Sequence, residues 1–447
     1  MTYKASANIL EVLQKIEYEE ALPPGDPRFV ETTEARGSQQ TFSRLARKFG
    51  WDPAGKAFFA PNEKHVLFFG HIGSGKTTEL RRYAQWLNES KRYYVVEVDV
   101  LTKLDRNNLQ YTEALMAMAE SLLERLVGDG YALNEGDLQP MRDWFSKVTQ
   151  IKVESREVSG ELKTGMEASG GIPGLVKLFA NFTAAFKTGS SQKNEWRQEI
   201  RNHFTTLSAA FNQFIRSVES LLKEKDRADR VLFLVDGTDK MRGEDTLQFF
   251  VQDAEQLLAI QTLAIYTAPL ELKYDGRMGG KLDADIVLPM VKLYERDGRR
   301  CEAGWTALTQ LLLLRADRSL FSSEEDVAKL VEHCGGHPRE LLRLLKLCCE
   351  FADSSIDDKV VQRSIAQLAA DYRYFLKPAD YELLANIDNT PEQGGNDEAA
   401  QHLLHRLALL QYNDGAWRRS HPVIRTLEGY LLAKAALPAS PTPPAMV

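Results

Sequence analysis

An α/β fold, a parallel β-sheet covered by helices, is predicted by three features of this 447-residue chain. An apolar run from His65 to Phe69 leads into a glycine-rich turn and then a helical stretch beginning near Thr77. A second strand, Tyr93 to Val98, is rich in β-branched and aromatic residues and is followed by a helix from about Asn108 to Val127. A third apolar run, Val231 to Val235, ends in Asp236. Strand and helix alternate because parallel neighbours cannot be joined by a tight turn, and their strands read as continuous apolar runs because both faces are buried.

The turn after the first strand reads Gly70-His71-Ile72-Gly73-Ser74-Gly75-Lys76-Thr77. This is the G-x-x-x-x-G-K-[ST] phosphate loop, in the context where it works. Its glycines let the backbone curl round a polyphosphate, and free N–H groups and the positive helix end face the phosphate oxygens. Lys76 is expected to reach the outer phosphates and Thr77 to hold Mg²⁺, so ATP or GTP binding is expected. No N-K-x-D guanine-reading run occurs, which favours ATP.

Asp236, delivered by a buried strand, is the second expected Mg²⁺ residue, acting on a water ligand of the ion. Asp239, three residues on, is the candidate to orient or deprotonate the attacking water. Gln261 to Pro269 reads as the next buried strand, in which the Thr267 hydroxyl is placed to sense the γ-phosphate or that water. Ile286-Val-Leu-Pro is a further short strand. It is followed by Arg296, Arg299 and Arg300, each a candidate arginine finger for a neighbouring subunit or else part of a solvated charge cluster.

Helix patterns dominate from Gly304: Trp305 to Leu314, Glu324 to His333, which Gly335-Gly336 ends, and a third that Pro338 starts before Arg339 and Leu341-Leu342-Arg343-Leu344-Leu345. Pro338 suits a first helical position, where its missing N–H costs nothing. Arg339 in that first turn opposes the helix dipole, so an anionic contact, the nucleotide's phosphates, is expected for it. Further on come helices Ala379 to Ile387 and Glu398 to Leu410, a hairpin marked by Asp414-Gly415, and a closing helix near Val423 to Lys434. That order describes a winged helix-turn-helix. Its second helix offers His402, His405 and Arg406, and its wing Trp417, Arg418 and Arg419. Base readout wants more long polar side chains than this, so DNA binding is the lesser expectation beside an interaction or autoinhibition role.

The segment between Val127 and the Asp236 strand is far longer than an ordinary crossover. Within it, Ile151 to Leu162 alternates as an exposed hairpin would. Gly170 to Lys187 is apolar, cationic and helical, as either an arm for a partner or membrane or a helix packed on its own hairpin. A long helix from about Trp196 to Lys223 returns the chain to the sheet. The expected divisions are an N-terminal extension over 1–60, a nucleotide-binding core over 61–300 with an insertion at about 128–195, a helical lid over 301–372, a winged helix over 373–435 and a disordered tail over 436–447.

Net charge of −7 argues against generic nucleic-acid affinity. The four cysteines, Cys301, Cys334, Cys348 and Cys349, lack metal-binding spacing and read as small buried residues in a reducing compartment. No charged-then-apolar leader and no run of eighteen apolar residues is present, so a cytoplasmic protein without a transmembrane segment is expected.

The loop with its continuation Thr77-Thr78-Glu-Leu, the Asp236-Gly-Thr-Asp239 box, Gly335-Gly-His-Pro-Arg-Glu-Leu-Leu and the terminal Trp417-Arg-Arg-Ser-His-Pro together resemble the AAA+/STAND group of P-loop ATPases, over roughly residues 35 to 432. The pattern is similar to bacterial STAND-like ATPases and to origin-recognition-type ATPases with a lid and winged helix. The resemblance implies a P-loop NTPase core of the ASCE type with sheet order 5-1-4-3-2. It places Gly70, Ile72, Gly73, Ser74, Gly75, Lys76, Thr77, Thr78 and Pro338 around ATP, and Thr77 and Asp236 on Mg²⁺. Asp236 becomes the Walker B acid, Thr267 the sensor 1 residue and Arg339 sensor 2. Lys240 departs from the glutamate that such boxes commonly carry, which implies slow hydrolysis. The expected function is an ATP-hydrolysing switch that assembles into a homo-oligomer and controls a separate effector protein, in a bacterial defence setting by family analogy. Rival expectations are a DNA-binding loader or transposition-type regulator and a non-hydrolysing nucleotide-binding adaptor.

Overall fold

The computed structural model describes residues 3–104, 109–154, 172–187, 192–241, 243–391 and 397–438. The chain forms two compact units. One comprises residues 42–69 and 80–286, the other residues 1–41, 70–79 and 287–447.

The first unit carries the sheet. Its strands are β1 (Lys64–Gly70), β2 (Tyr93–Asp99), β3 (Arg230–Asp236), β4 (Leu263–Pro269) and β5 (Ala284–Val287). They lie in the order β5-β1-β4-β3-β2, the 5-1-4-3-2 order implied by the resemblance. β2 and β3 pair in parallel from Tyr93 opposite Arg230 to Asp99 opposite Asp236, and β3 and β4 pair in parallel from Leu232 opposite Leu263 to Val235 opposite Tyr266. Val66, Phe68, Val231, Phe233 and Ile265 are fully buried. At about 1.5–3 kcal/mol for each large apolar side chain removed from water, these runs make the sheet the core of the unit.

The helices of this unit are α1 (Lys76–Glu89) from Leu80 onward, its first four residues belonging to the other unit, α2 (Tyr111–Gly128), α3 (Glu135–Glu154), α4 (Ile172–Lys187), α5 (Gln192–Asn202) and α6 (Phe204–Glu224). Residues 151–154 end α3 instead of starting a hairpin, because four alternating residues are compatible with a helix that already runs into them. The rest of that expected hairpin lies outside the described residues. The apolar face of α4 is spent inside the protein: Ile172, Leu175, Leu178 and Phe179 are buried, and Thr183 donates to Glu120 of α2 at 2.9 Å. Arg197 of α5 pairs with Glu113 of α2, both buried. The expected single helix from Trp196 is two, broken at His203.

The second unit is mainly helical. It contains α7 (Glu302–Leu313), α8 (Glu324–His333), α9 (Pro338–Phe351), α10 (Asp358–Arg373), α11 (Pro378–Asn389), α12 (Glu398–His405), an antiparallel hairpin of β6 (Leu409–Tyr412) and β7 (Trp417–Ser420), and α13 (Glu428–Ala436). Ser323 and Asp326 form a capping box at the start of α8, and the Asp357 side chain caps α10. The helix expected to run to Leu410 stops at His405, and the chain re-forms as β6. The expected disordered tail lies outside the described residues beyond 438.

Among the described residues no helix is long and apolar enough to cross a membrane. Cys334, Cys348 and Cys349 are buried and all four cysteines are free.

Candidate functional site

The helical unit contains the phosphate loop. Gly73 and Gly75 sit at φ +82° and +96°, a left-handed backbone that side chains resist. Lys76 is 4 % exposed, and its Nζ donates to the carbonyls of Gly70 at 2.8 Å and His71 at 3.0 Å. A buried ammonium folded back on its own loop is placed to exchange carbonyl oxygens for phosphate oxygens. The Ser74 hydroxyl is buried with no hydrogen-bond partner, so the loop contains polar capacity that its own fold leaves unspent.

Three further segments of the same unit hold this loop. The first is the turn before α9. The His337 side chain caps that helix through Nδ1, accepting from Glu340 N–H at 3.2 Å, and Nε2 lies 3.0 Å from the Ile72 carbonyl. A carbonyl only accepts, so the proton sits on Nε2 and the ring is a neutral bridge between helix cap and loop. Burial, with the charge of Arg339 as the next contribution, holds its pKa well below the usual histidine range. Arg339 lies against Gly73: a Cβ there would stand 2.6 Å from the guanidinium Nε, which is itself buried without a hydrogen-bond partner. Pro338 occupies the first turn of α9 as expected.

The second is the hairpin. His71 Nε2 accepts from the backbone N–H of Gln411 in β6 at 3.0 Å. Its pKa is pushed down to about 3, first by burial and then by the Lys76 charge, which keeps the ring an acceptor. The third is the N-terminal segment. Arg36, 2 % exposed, donates to Ser74 O at 2.7 Å, Pro289 O at 2.5 Å and Thr32 Oγ1 at 2.9 Å. Burial pulls its pKa down, opposed by Glu79 and Glu31, and the guanidinium stays charged. Leu22 N–H donates to the Thr78 hydroxyl at 3.2 Å, so that hydroxyl is engaged within the protein.

Asp236, Asp239 and Thr267 belong to the sheet unit. Asp236 ends β3 opposite Asp99 of β2. Gly237 follows at φ +89°, and a Cβ there would meet Leu101 at 2.8 Å, which explains the glycine in the Asp-Gly-Thr-Asp box. The buried Thr267 hydroxyl accepts from Gly237 N–H at 3.0 Å, and the Thr238 hydroxyl donates to the Thr267 carbonyl. Thr267 thus fixes the loop that carries Asp239, which is 4 % exposed. The structure groups Asp236, Asp239 and Thr267 in one unit, and the phosphate loop, Pro338 and Arg339 in the other.

The donor set suits magnesium. The Thr77 hydroxyl lies in the helical unit and the Asp236 carboxylate in the sheet unit, each a hard oxygen of the kind Mg²⁺ prefers. Mg²⁺ is normally held by one or two protein oxygens together with phosphates and waters.

Sequence reasoning missed Arg36, His71 and His337. His337 had a readable signal, a polar residue immediately before Pro338 at a helix start. Arg36, one cation in an ordinary helical stretch, had none. Of the three residues expected on the wing, Trp417 and Arg418 are 3 % exposed, with Arg418 Nε donating to Gln411 Oε1 at 3.3 Å, and Arg419 is partly exposed, which agrees with DNA binding as the lesser expectation. Among the finger candidates, Arg299 pairs with Asp297 at 2.7 Å and Arg300 with Glu302 at 3.0 Å, exposed pairs of the solvated kind.

No known protein family matches the chain by sequence, and no curated protein matches it. Among solved structures it is similar to Cdc6p from Pyrobaculum aerophilum, with 11% identity over 94% of this chain and 98% of that one at a TM-score of 0.39. It is also similar to the RuvB Holliday junction branch migration motor of Thermotoga maritima, with 13% identity over 92% and 98% at 0.34. A Walker-type ATPase of Pyrococcus abyssi gives 13% over 92% and 99% at 0.40. The sheet order and the glycine loop between β1 and α1 are on their own those of the P-loop fold, here followed by a helical C-terminal region.

Proposed function

We propose that this chain is an ATP-dependent switch, an ATPase of slow turnover whose nucleotide state sets the position of its helical lid and hairpin. The observation that carries this reading is that consecutive residues of the phosphate loop are hydrogen-bonded to different elements, His71 to the hairpin and Ile72 to the cap of α9. A loop tied in this way cannot reshape around a triphosphate without its partners responding.

In this reading Lys76 and the loop N–H groups bind the β- and γ-phosphates, and Arg339 adds a guanidinium. Thr77 and Asp236 hold Mg²⁺, which would neutralise charge on the transferred phosphoryl group. Asp239 orients the attacking water and accepts its proton, while Thr267 keeps the Asp239 loop in place. Lys240 supplies no carboxylate, hence the slow turnover. The same proposal includes ATP-gated self-association and a separate effector protein, with a defence setting by analogy to the resembling group.

The test is calorimetry with Mg·ATP followed by phosphate-release assays. Binding by the parent chain, lost at least a hundredfold in Lys76→Ala, supports the nucleotide site. Equal binding by Lys76→Ala sinks it. Hydrolysis by the parent that Asp239→Asn abolishes supports the switch with turnover, whereas binding without any hydrolysis favours the non-hydrolysing adaptor. Size-exclusion runs with an ATP analogue and with ADP test nucleotide-gated assembly.

A further inference from the structure

A cavity of about 270 Å³ lies within the helical unit, beside the Gly335 turn and the β6–β7 hairpin. Tyr412 and Trp417 line it as a stacked pair, with ring centroids 4.2 Å apart and planes 15° from parallel. The Trp417 ring is 3 % exposed, yet its indole N–H is buried without a hydrogen-bond partner. Buried indole N–H groups normally find an acceptor, so this one is a donor left unspent. Arg419 stands 5.4 Å from the Trp417 ring centre. Arg425 lines the same space, its Nε 3.3 Å from the buried Asp388 carboxylate and its other arm on the Ser420 carbonyl at 2.8 Å. Tyr294 donates to Glu332 at 3.0 Å on the remaining side.

Aromatic walls and two guanidinium groups are the elements from which small-molecule sites for flat anions are made. We propose that this cavity is a ligand site for an aromatic anion of mononucleotide size or smaller, its ring against the Tyr412–Trp417 wall and a phosphate or carboxylate toward Arg419 and Arg425. The occupant would touch the turn that positions His337, because the Tyr412 hydroxyl donates to the Gly335 carbonyl at 2.8 Å. It is therefore an effector site for the nucleotide loop. That second step rests on the switch reading; the binding itself does not.

The test uses the full chain carrying Lys76→Ala in magnesium-free buffer, so that the phosphate loop contributes nothing. Calorimetric titration with AMP and with salicylate separates a phosphate from a carboxylate ligand. At least one probe binds with one-to-one stoichiometry. Arg419→Ala and Trp417→Phe each weaken it tenfold or more, while Lys359→Ala, exposed and outside the cavity, leaves it unchanged. Arg419→Ala alters a partly exposed residue and keeps the test decisive if Trp417→Phe lowers stability. Binding by neither probe, or equal binding in both cavity variants, overturns the site. In the parent chain a saturating probe shifts the ATP affinity threefold or more. An unchanged ATP affinity overturns the effector role, and an absence of ATP binding overturns the switch reading while the cavity is judged on the Lys76→Ala titration alone.

Discussion

His337 Nε2–H donates to the carbonyl of Ile72 at 3.0 Å, while Nδ1 of the same ring caps helix α9. One neutral imidazole thus ties a helix start to the second residue of the phosphate loop after its leading glycine. His337→Ala removes the cap and takes away this partner of the part-buried Ile72 carbonyl, at a cost of about 2 kcal/mol. His337→Asn keeps a capping oxygen and recovers part of that loss. Urea denaturation of both variants checks the order, and a loss equal in the two would show that the Ile72 contact carries the whole effect.

Arg36 is expected to be a stability residue and a loop-shaping residue together. Arg36→Ala orphans the Ser74 and Pro289 carbonyls and costs about 3 kcal/mol, since hydrogen bonds to a charged group are the stronger kind. Arg36→Lys supplies charge without the fork and retains less than half of the stability. Denaturation midpoints and Mg·ATP affinity, measured on the same preparations, read both effects.

The buried histidines give the stability a definite pH slope. His71 and His421 titrate at about 3 in the folded chain, and His337 also lies well below its ordinary value, in each case because burial penalises the charged ring. The unfolded chain binds protons on these rings near pH 6.5, so between about 6.5 and 3 the unfolded state is the more protonated one. Stability is therefore undiminished above about pH 6.5 and falls as the pH drops, by up to about 1.4 kcal/mol per pH unit for each ring. Comparing unfolding free energies at pH 7.5 and 5.5 in the parent and in His421→Gln should show a shallower slope in the variant.

Gly336 has no room for any side chain. Its φ is +83° and a Cβ would stand 1.8 Å from the Val291 carbonyl oxygen, a distance that forces backbone displacement. Gly336→Ala should cost about 3 kcal/mol or more from strain and displacement combined. A melting temperature within one degree of the parent's would contradict this packing.

Gly73→Ala tests the contact with Arg339 more selectively. The new methyl would displace the guanidinium from the loop, and φ +82° adds strain. Nucleotide affinity is expected to fall more than tenfold with the sheet unit still folded, as read by calorimetry alongside circular dichroism.

The sheet was legible in the sequence because its strands are buried on both faces. Val231 to Val235 and Leu263 to Ala268 therefore read as unbroken apolar runs, and the Gly70–Thr77 spacing names the strand–helix junction. The insertion was less legible. Ile151 to Glu154 alternates over too few residues to separate two periods, and the Pro140 inside α3 reads as a breaker although it lies early in that helix. In the candidate site, charge and glycine pattern picked out Lys76, Asp236 and Arg339. The tying contacts escaped because His71 Nε2, Ile72 O and Gln411 N interact through backbone atoms, which carry no residue-specific signature. The enclosure of Arg418 escaped for a related reason: a charged residue in a hairpin suggests solvent, and only the packing reveals that its head group lies beside Gln411.

The helical unit recruits residues 1–41, the loop segment 70–79 and everything after 287. During translation the glycine loop leaves the ribosome long before the segment bearing His337 and Gln411 exists. The loop must wait, without its two clasps, for some three hundred residues to be added. A nascent chain halted before residue 337 should therefore present this loop to protease, and the mature length should shield it, making cleavage there a clock for completion of synthesis.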